Sequence, residues 1–133
     1  MEEYLFVYGS LKSESGNTLS VIDKNMHSLL AKHSRFVGKA TCRGKLYLIN
    51  NYPGVVLSNA KSNIVYGEVY KILDSSILSR LDKYEECSPD FPEPTKYKRE
   101  KCNVYIDGKV ITSWIFIYNR SVRDKKEIKS GKW

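Results

Sequence analysis

β-forming segments dominate this sequence, and only two stretches with helical periodicity interrupt them. Residues 4–8 are dense in aromatic and β-branched side chains, which predicts a buried first strand. A helix is expected at about residues 18–31, where large aliphatic residues recur every three or four positions. Short β-forming runs then follow one another at residues 35–41, 44–49, 55–57 and 64–72. Asn50 to Gly54 and Asn59 to Asn63 are expected to break these runs.

A second helix is predicted to begin near residue 75. Asp74 and Ser75 are both suited to cap it, because their side-chain oxygens can accept a hydrogen bond from the first backbone N–H groups. Three prolines within residues 87–94 predict an irregular loop after the helix.

The chain then forms its clearest hairpin. Residues 97–106 and 109–118 are β-forming and flank Asp107-Gly108, a pair typical of a two-residue type I′ turn. Because helices do not alternate with strands, a doubly wound parallel sheet is disfavoured. The order predicts an α+β fold, in which a small mixed or antiparallel sheet curls toward a β-barrel with two helices packed on it.

The composition indicates a globular protein with a single domain over residues 1–133. Hydrophobic residues make up 41% and charged residues 28%, which is ordinary for a folded domain. No apolar run approaches the roughly 20 residues that cross a bilayer, and the acidic N-terminus is unlike a signal peptide. We therefore expect a cytoplasmic protein without a membrane partner.

The cysteines and histidines do not form a recognisable metal or disulfide pattern. Cys42, Cys87 and Cys102 are odd in number and widely spaced, with no Cys-x-x-Cys pair. Only His27 and His33 accompany them. We expect free thiols in a reducing compartment, no metal site and no cofactor.

More than half of the net charge of +7 lies at the C-terminus. Residues 120–133 contain six basic and two acidic residues, a net +4, and are expected to form an irregular basic tail. Such a tail can bind nucleic acid or steer an anionic substrate. It contains no aromatic residue before Trp133. A nucleic-acid partner is therefore disfavoured, because base stacking needs interleaved aromatic residues.

One carboxylate of the second predicted helix falls on its apolar face. On a helical wheel Glu85 lies inside the apolar arc, whereas Asp82 and Glu86 lie outside it and are expected to face water. The arc is formed by Ile77, Leu78, Leu81 and Tyr84. A carboxylate in apolar surroundings costs several kcal/mol unless its pKa rises or it finds partners. Glu85 is either a general acid/base in a partly apolar pocket or a helix-end residue that reaches out to water.

A glycine directly follows the first predicted strand. The backbone N–H groups of Gly9, Ser10 and Leu11 can converge there into an anion-binding nest, and Ser10 adds a hydroxyl donor. The segment lacks the further glycines of a dinucleotide-binding loop and the lysine of a P-loop. Binding of a nucleotide phosphate is therefore disfavoured.

In their order along the chain, these segments resemble the γ-glutamylcyclotransferase-like family. The first match is Tyr8-Gly9-Ser10-Leu11, and the second is Leu81-Asp82-Lys83-Tyr84-Glu85, about 75 residues later. The lesser matches are Asn17, Phe36-Val37-Gly38, Tyr52-Pro53-Gly54, residues 65–70, Tyr97-Lys98-Arg99 and residues 114–118. The resemblance covers nearly the whole chain and is closest to the short branch that includes γ-glutamylamine cyclotransferases.

The resemblance implies a small β-barrel with a pocket at one end. Glu85 matches the acid/base of the family, residues 8–11 match its substrate-cradling loop, and Tyr118 matches a pocket-side tyrosine. The implied activity is cyclisation of a γ-glutamyl amine or γ-glutamyl amino acid, in which the α-amine attacks the γ-carbonyl and releases 5-oxoproline. No metal or cofactor is needed for this reaction.

Two departures from the family pattern leave the preferred γ-glutamyl acceptor open. Glu86 stands where a small residue is common, and Lys132 stands where an acidic residue is expected before Trp133. A non-catalytic module that binds a small anion on the same fold is the alternative, since a fold does not fix a function. Whether the protein forms a homo-oligomer is also left open by the sequence.

Overall fold

The computed structural model describes residues 2–8, 28–49, 52–84 and 95–133. The strands among them are β1 (Glu3–Val7), β2 (Ser34–Ile49), β3 (Tyr52–Leu57), β4 (Ile64–Ile72), β5 (Tyr97–Ile106), β6 (Lys109–Tyr118) and β7 (Lys126–Glu127). Residues 28–33 are helical and are called α1, and Ser76–Tyr84 form the helix α2.

Five of the strands close into a barrel. Their order is β2-β4-β1-β6-β5, and β5 pairs back with β2 at Thr41↔Tyr105 and Cys42↔Val104. β1 and β6 are parallel, and the other neighbours in the ring are antiparallel. β3 and β7 pair with β2 outside this ring. The predicted α+β fold, a mixed barrel with two helices, is confirmed.

Side-chain alternation divides the apolar residues between two cores. On β1, Phe6 fills the barrel interior, whereas Leu5 and Val7 face the helices. The barrel interior consists of Phe6, Tyr8, Ala40, Cys42, Leu46, Val55, Val65, Val69, Val104, Ile115 and Ile117. The helix-side core consists of Leu5, Val7, Leu30, Tyr70, Ile72, Ile77, Leu78, Leu81 and Phe116. Each large apolar side chain buried in this way stabilises the fold by about 1.5–3 kcal/mol.

β1 and β4 approach each other very closely at Gly67. A Cβ atom at this position would overlap the Val7 carbonyl oxygen and would lie 2.6 Å from a ring carbon of Phe6. Only glycine allows this approach, and it fixes the position of Glu68, the next residue on β4, against the end of β1.

Helix α2 buries the face that the wheel predicts. Ile77, Leu78 and Leu81 are buried, and Tyr84 is partly buried against the helix-side core. Asp74 caps the helix, because its Oδ1 atom accepts a hydrogen bond of 3.0 Å from the Ser76 N–H. The hydrogen bonds from Ser76 hold the pKa of Asp74 below its ordinary value.

Asp82 lies outside the buried face of α2, as predicted, but it is paired and its side chain is only 21% exposed to water. Its carboxylate accepts hydrogen bonds from Arg99 Nε at 2.7 Å and Arg99 Nη2 at 3.1 Å. The Arg99 guanidinium group also lies over the Trp114 ring, 4.3 Å from its centroid. The wheel compares positions within one helix only, and it cannot detect a partner that β5 supplies.

One predicted interruption between strands is absent, and one predicted strand begins three residues earlier than expected. Residues 35–41 and 44–49 form one 16-residue strand, because the pairing of β2 with β4 runs through Cys42 and Arg43. Residues 52–54 belong to β3, where Pro53 pairs with Leu48 of β2. β3 lies at the edge of the sheet, where a proline without an N–H group is tolerated.

The C-terminal tail is held on the barrel. The prediction of an irregular tail is wrong at Lys126–Glu127, which pairs with Tyr47 and Leu48 of β2 as β7. The Tyr66 N–H then donates a hydrogen bond of 2.9 Å to the Gly131 carbonyl oxygen. These backbone contacts with β2 and β4 order the tail although it carries a high charge.

The other predicted elements agree with the structure where it describes them. The hairpin is confirmed, since φ is 49° at Asp107 and 75° at Gly108, both positive as a type I′ turn requires. The helical residues 28–33 confirm the end of the first helix, which extends two residues beyond the predicted boundary. Residues 18–27 of that predicted helix lie outside the described residues, as does the predicted loop at residues 87–94.

Candidate functional site

The predicted site residues divide into two groups. Tyr8 and Tyr118 belong to the described part of the structure, whereas Glu85 and residues 9–11 lie outside it. Tyr8 is the described residue directly before residues 9–11, and Tyr84 is the one directly before Glu85.

Tyr8 joins three strands at one end of the barrel. It is buried directly after β1, and its hydroxyl group donates a hydrogen bond of 2.5 Å to the Phe116 carbonyl oxygen on β6. The same hydroxyl oxygen accepts a hydrogen bond of 3.3 Å from the Val55 N–H on β3. Tyr8 is therefore anchored by groups 47 and 108 residues away along the chain.

Tyr118 is buried at the end of β6, in a small aromatic cluster. Its ring meets the Tyr97 ring edge to face, with 5.7 Å between the centroids and an interplanar angle of 73°. The Tyr97 hydroxyl group donates a hydrogen bond of 2.7 Å to the Pro53 carbonyl oxygen. The next residue, Gly54, lies so close that a Cβ atom there would be 2.9 Å from Tyr118 Cβ.

β3 connects the two tyrosines. Tyr8 contacts this strand through Val55, and Tyr118 contacts it at Gly54. Because β1 and β6 are parallel neighbours, their C-terminal ends lie at the same end of the barrel. The structure thus brings Tyr8 and Tyr118 to the same end of the barrel.

The last residue of α2 lies on the face of the sheet that the helices cover. Tyr84, its last residue, packs against the helix-side core, to which Val7 and Tyr70 also belong. Residues 9–11 therefore follow Tyr8, which is buried in the barrel core. Glu85 follows Tyr84, which packs against the helix-side core.

Glu68 is a buried carboxylate that the sequence reasoning did not single out. Its side chain on β4 is only 3% exposed, and its Oε1 atom accepts a hydrogen bond of 3.2 Å from the Tyr70 hydroxyl group. The pairing register places Glu68 opposite Val7 of β1 and opposite Lys39 of β2. The alternation of side chains along β4 could have indicated this burial, because Glu68 lies on the same face as Tyr70 and Ile72, which are buried.

The two described thiols are not suited to nucleophilic chemistry. Burial raises the pKa of Cys42 to about 12 and that of Cys102 to about 11. Both side chains are therefore protonated near neutral pH, and the thiolate is the reactive form of cysteine.

Residues 2–8, 28–49, 52–84 and 95–133 contain no group of side chains that could hold a metal ion and no helix long and apolar enough to cross a membrane. A metal-binding group would consist of at least three His, Cys, Asp or Glu side chains.

Comparisons with known proteins identify one family. The model of the family "Gamma-glutamyl cyclotransferase, AIG2-like" matches residues 5–133. A Methanocaldococcus jannaschii protein, named as a candidate γ-glutamylcyclotransferase, is 34% identical over 120 residues, which cover 90% of this chain and 87% of that protein. The γ-glutamylcyclotransferase family protein YtfP of Escherichia coli is 30% identical over 130 residues, covering 97% and 94% of the two chains.

A solved structure shares the fold. The crystal structure of YkqA from Bacillus subtilis matches with a TM-score of 0.70 and 27% identity. The match covers all of this chain and 40% of the YkqA chain, so that protein is considerably longer.

Proposed function

Because the chain belongs to the γ-glutamyl cyclotransferase, AIG2-like family, we propose that it cyclises a γ-glutamyl amine or a γ-glutamyl amino acid. The products are 5-oxoproline and the freed amine or amino acid. The observation that carries the proposal is the family match over residues 5–133, a range that contains every proposed site residue.

The chemistry requires little beyond positioning and proton transfer. The α-amine and the γ-carbonyl carbon of the substrate are separated by the length of a five-membered ring, so the attack is intramolecular and is favoured by proximity. We assign Glu85 as the acid/base. Its carboxylate takes one proton from the α-ammonium group, and the neutral nitrogen then attacks the γ-carbonyl carbon.

The tetrahedral intermediate then collapses toward the products. The bond between the γ-carbon and the leaving nitrogen breaks as Glu85 returns its proton to that nitrogen. After the attack the ring nitrogen carries two protons. It keeps one of them, and the freed amine takes up the other and departs as an ammonium ion. The reaction is redox-neutral and needs neither a metal ion nor a second substrate.

The proposed cradle consists of the backbone N–H groups of residues 9–11. They would hold the α-carboxylate of the substrate or the developing oxyanion. The anchoring of Tyr8 by β6 and β3 supports this assignment, because Tyr8 is the residue from which the cradle segment continues. Tyr118, at the same end of the barrel, is assigned to the wall of the pocket.

The proposed compartment is the cytoplasm. Cys42 and Cys102 are free thiols in the structure, which is the usual state of cysteine in a reducing compartment.

The direct test is a screen for release of 5-oxoproline. γ-Glutamyl amines, γ-glutamyl amino acids and glutathione are incubated with the protein, and 5-oxoproline is quantified. Matched amides that lack the α-amine are the control, since they cannot form the ring. Turnover of at least one γ-glutamyl compound is expected. Binding of 5-oxoproline without turnover of any compound would instead favour a non-catalytic small-anion-binding module.

A further inference from the structure

A row of four side chains crosses the outer wall of the barrel. Thr41 of β2 pairs with Tyr66 of β4 on one side and with Tyr105 of β5 on the other. Tyr105 in turn pairs with Val110 of β6. The sequence neighbours of all four pack in the barrel interior, so the alternation of side chains along each strand turns the row outward.

The row is accessible to solvent. Tyr66 is 40% exposed and Val110 is 56% exposed, whereas Thr41 and Tyr105 are half-buried. The two tyrosines lie on either side of β2. Because neighbouring strands are separated by about 4.8 Å, their side chains stand roughly 10 Å apart. They are therefore two separate aromatic groups on one wall.

A cation lies over each of the two rings. The Arg43 guanidinium carbon is 4.9 Å from the centroid of the Tyr105 ring, and Lys132 Nζ is 5.0 Å from that of Tyr66. Lys132 is exposed and belongs to the C-terminal tail. The tail is held beside the row, because the Tyr66 N–H donates a hydrogen bond of 2.9 Å to the Gly131 carbonyl oxygen. Each ring is thus combined with a positive charge.

One carboxylate lies in the neighbouring row. Glu68 follows Tyr66 on the outer side of β4 and is opposite Lys39 of β2. It is only 3% exposed, so it presents little negative charge to a ligand at the surface.

Aromatic rings combined with cations on an exposed sheet are suited to single-stranded nucleic acid. Bases stack on aromatic rings and on guanidinium planes, while cations neutralise phosphates. The tail itself contains no aromatic residue before Trp133, but the fold supplies Tyr66 beside it and Tyr105 on the other side of β2. The net charge of +7 complements a polyanion.

We propose that Arg43, Tyr66, Tyr105 and Lys132 form a stacking face that binds single-stranded nucleic acid. Tyr66 stacks one base, the Arg43–Tyr105 pair stacks another, and Lys132 contacts the phosphates. Binding at this face does not depend on the proposed cyclisation, because the face contains none of the residues assigned to that reaction.

The test compares a strand that has bases with one that lacks them. Fluorescein-labelled oligo(dT), oligo(rU) and an abasic strand, each of about 12 nucleotides, are titrated with wild-type protein, and fluorescence anisotropy gives Kd. We expect the abasic strand to bind roughly 5- to 100-fold more weakly than oligo(dT), as is typical when base stacking is lost. Comparison of oligo(rU) with oligo(dT) shows whether RNA or DNA is preferred.

Tyr66→Leu tests the stacking contact. It should bind oligo(dT) roughly 5- to 100-fold more weakly than the wild-type protein and bind the abasic strand within about twofold of it. Tyr52→Leu is the matched control, since Tyr52 is 45% exposed on β3, and it should keep both affinities.

The double variant Arg43→Gln, Lys132→Gln tests the cations. Each phosphate contact contributes about 0.7 to the slope of log Kd against log salt concentration for a single strand. The variant should therefore lose about 0.7–1.4 of this slope between about 50 and 200 mM salt. Lys98→Gln removes an exposed lysine that pairs with Glu100, and it should keep the wild-type slope.

Three outcomes would overturn the proposal. The first is no binding of oligo(dT) or oligo(rU) by the wild-type protein at about 50 mM salt. The second is equal affinity for oligo(dT) and the abasic strand, which would indicate attraction by charge alone. The third is an unchanged affinity of Tyr66→Leu for oligo(dT), which would exclude this face.

If Tyr66→Leu does not fold, the wild-type protein still permits the test. With ¹³C-labelled tyrosine rings, oligo(dT) should shift the resonances of Tyr66 and Tyr105 and leave those of Tyr52 in place. Unchanged Tyr66 resonances, or equal shifts at Tyr52, would contradict the proposal.

Discussion

The Tyr8 hydroxyl group donates a hydrogen bond of 2.5 Å to the Phe116 carbonyl oxygen and ties the end of β1 to β6. It also accepts a hydrogen bond from the Val55 N–H of β3. A tyrosine that looks like the last apolar residue of a strand thus holds three chain segments together. Its position is where the barrel ends and the proposed substrate cradle begins.

Removing this hydroxyl group should destabilise the protein. We expect Tyr8→Phe to lower the free energy of unfolding by about 1–3 kcal/mol, because buried backbone groups on β3 and β6 lose a partner. The measurement is urea denaturation at pH 7. Tyr52→Phe is the matched control, since Tyr52 is 45% exposed, and it should change stability by no more than about 0.5 kcal/mol. Equal stability of the two variants would contradict the anchoring role of Tyr8.

The ion pair between Asp82 and Arg99 should contribute to the docking of α2 on the barrel. Both side chains are 21% exposed, and two hydrogen bonds join them. We expect Asp82→Asn to lower the free energy of unfolding by about 1–2 kcal/mol, since hydrogen bonds between charged groups are stronger than neutral ones but water still screens this pair in part.

An exposed ion pair provides the comparison for Asp82. Glu100 pairs with Lys98 at 2.9 Å, but these side chains are 42% and 46% exposed. Glu100→Gln should therefore change stability by less than about 0.5 kcal/mol. Chemical denaturation of both variants at low and high salt would test the difference. If Asp82→Asn is as mild as Glu100→Gln, the pair does not hold α2 in place.

Local patterns were sufficient to predict much of this fold. The spacing of Ile77, Leu78 and Leu81 identified the buried face of α2, and Asp107-Gly108 identified the hairpin turn. In both cases the decisive interactions lie within a few residues along the chain. Interactions of this kind can be predicted from the spacing of residues in a single sequence.

Contacts between distant segments could not be predicted in this way. The sequence gives no sign that Arg99 pairs with Asp82, or that the tail adds a strand to β2. Glu68 is the clearest case, because its burial depends on how β1, β4 and the helices pack together. The assignment of Glu85 and of residues 9–11 stays a prediction from the sequence and from family membership.

Stability at alkaline pH should depend on Cys42. Burial raises the pKa of its thiol in the folded protein to about 12, whereas an unfolded thiol has a pKa of about 8.5. Below about pH 8 both states are protonated, and Cys42 adds no pH dependence. As the pH rises further, the unfolded state loses the proton first. The free energy of unfolding should then fall by up to about 1.4 kcal/mol per pH unit from this group.

The contribution of Cys42 can be isolated by comparison with Cys42→Ala. Lysine and tyrosine titrations affect both proteins alike, so the difference in their unfolding free energies reports the thiol. We expect the advantage of the wild-type protein over Cys42→Ala to shrink between pH 8 and pH 11. Cys102→Ala should show a smaller effect, because the pKa of Cys102 is raised less, to about 11. A pH-independent difference for Cys42→Ala would show that its thiol is accessible in the folded state.

The proposed chemistry makes a distinct prediction for each of two adjacent glutamates. Gln has nearly the same size and hydrogen-bonding reach as Glu but cannot cycle a proton. Glu85→Gln should therefore fold and bind ligand nearly as well as wild type and lose roughly 10²- to 10⁴-fold in cyclotransferase turnover. Glu86→Gln, at the neighbouring position in the sequence, should keep its turnover and change stability by no more than about 0.5 kcal/mol. Turnover, 5-oxoproline binding and thermal stability of both variants provide the measurement. Small and equal losses of turnover would mean that neither glutamate is the acid/base. A loss confined to Glu86→Gln would identify Glu86, and not Glu85, as the acid/base.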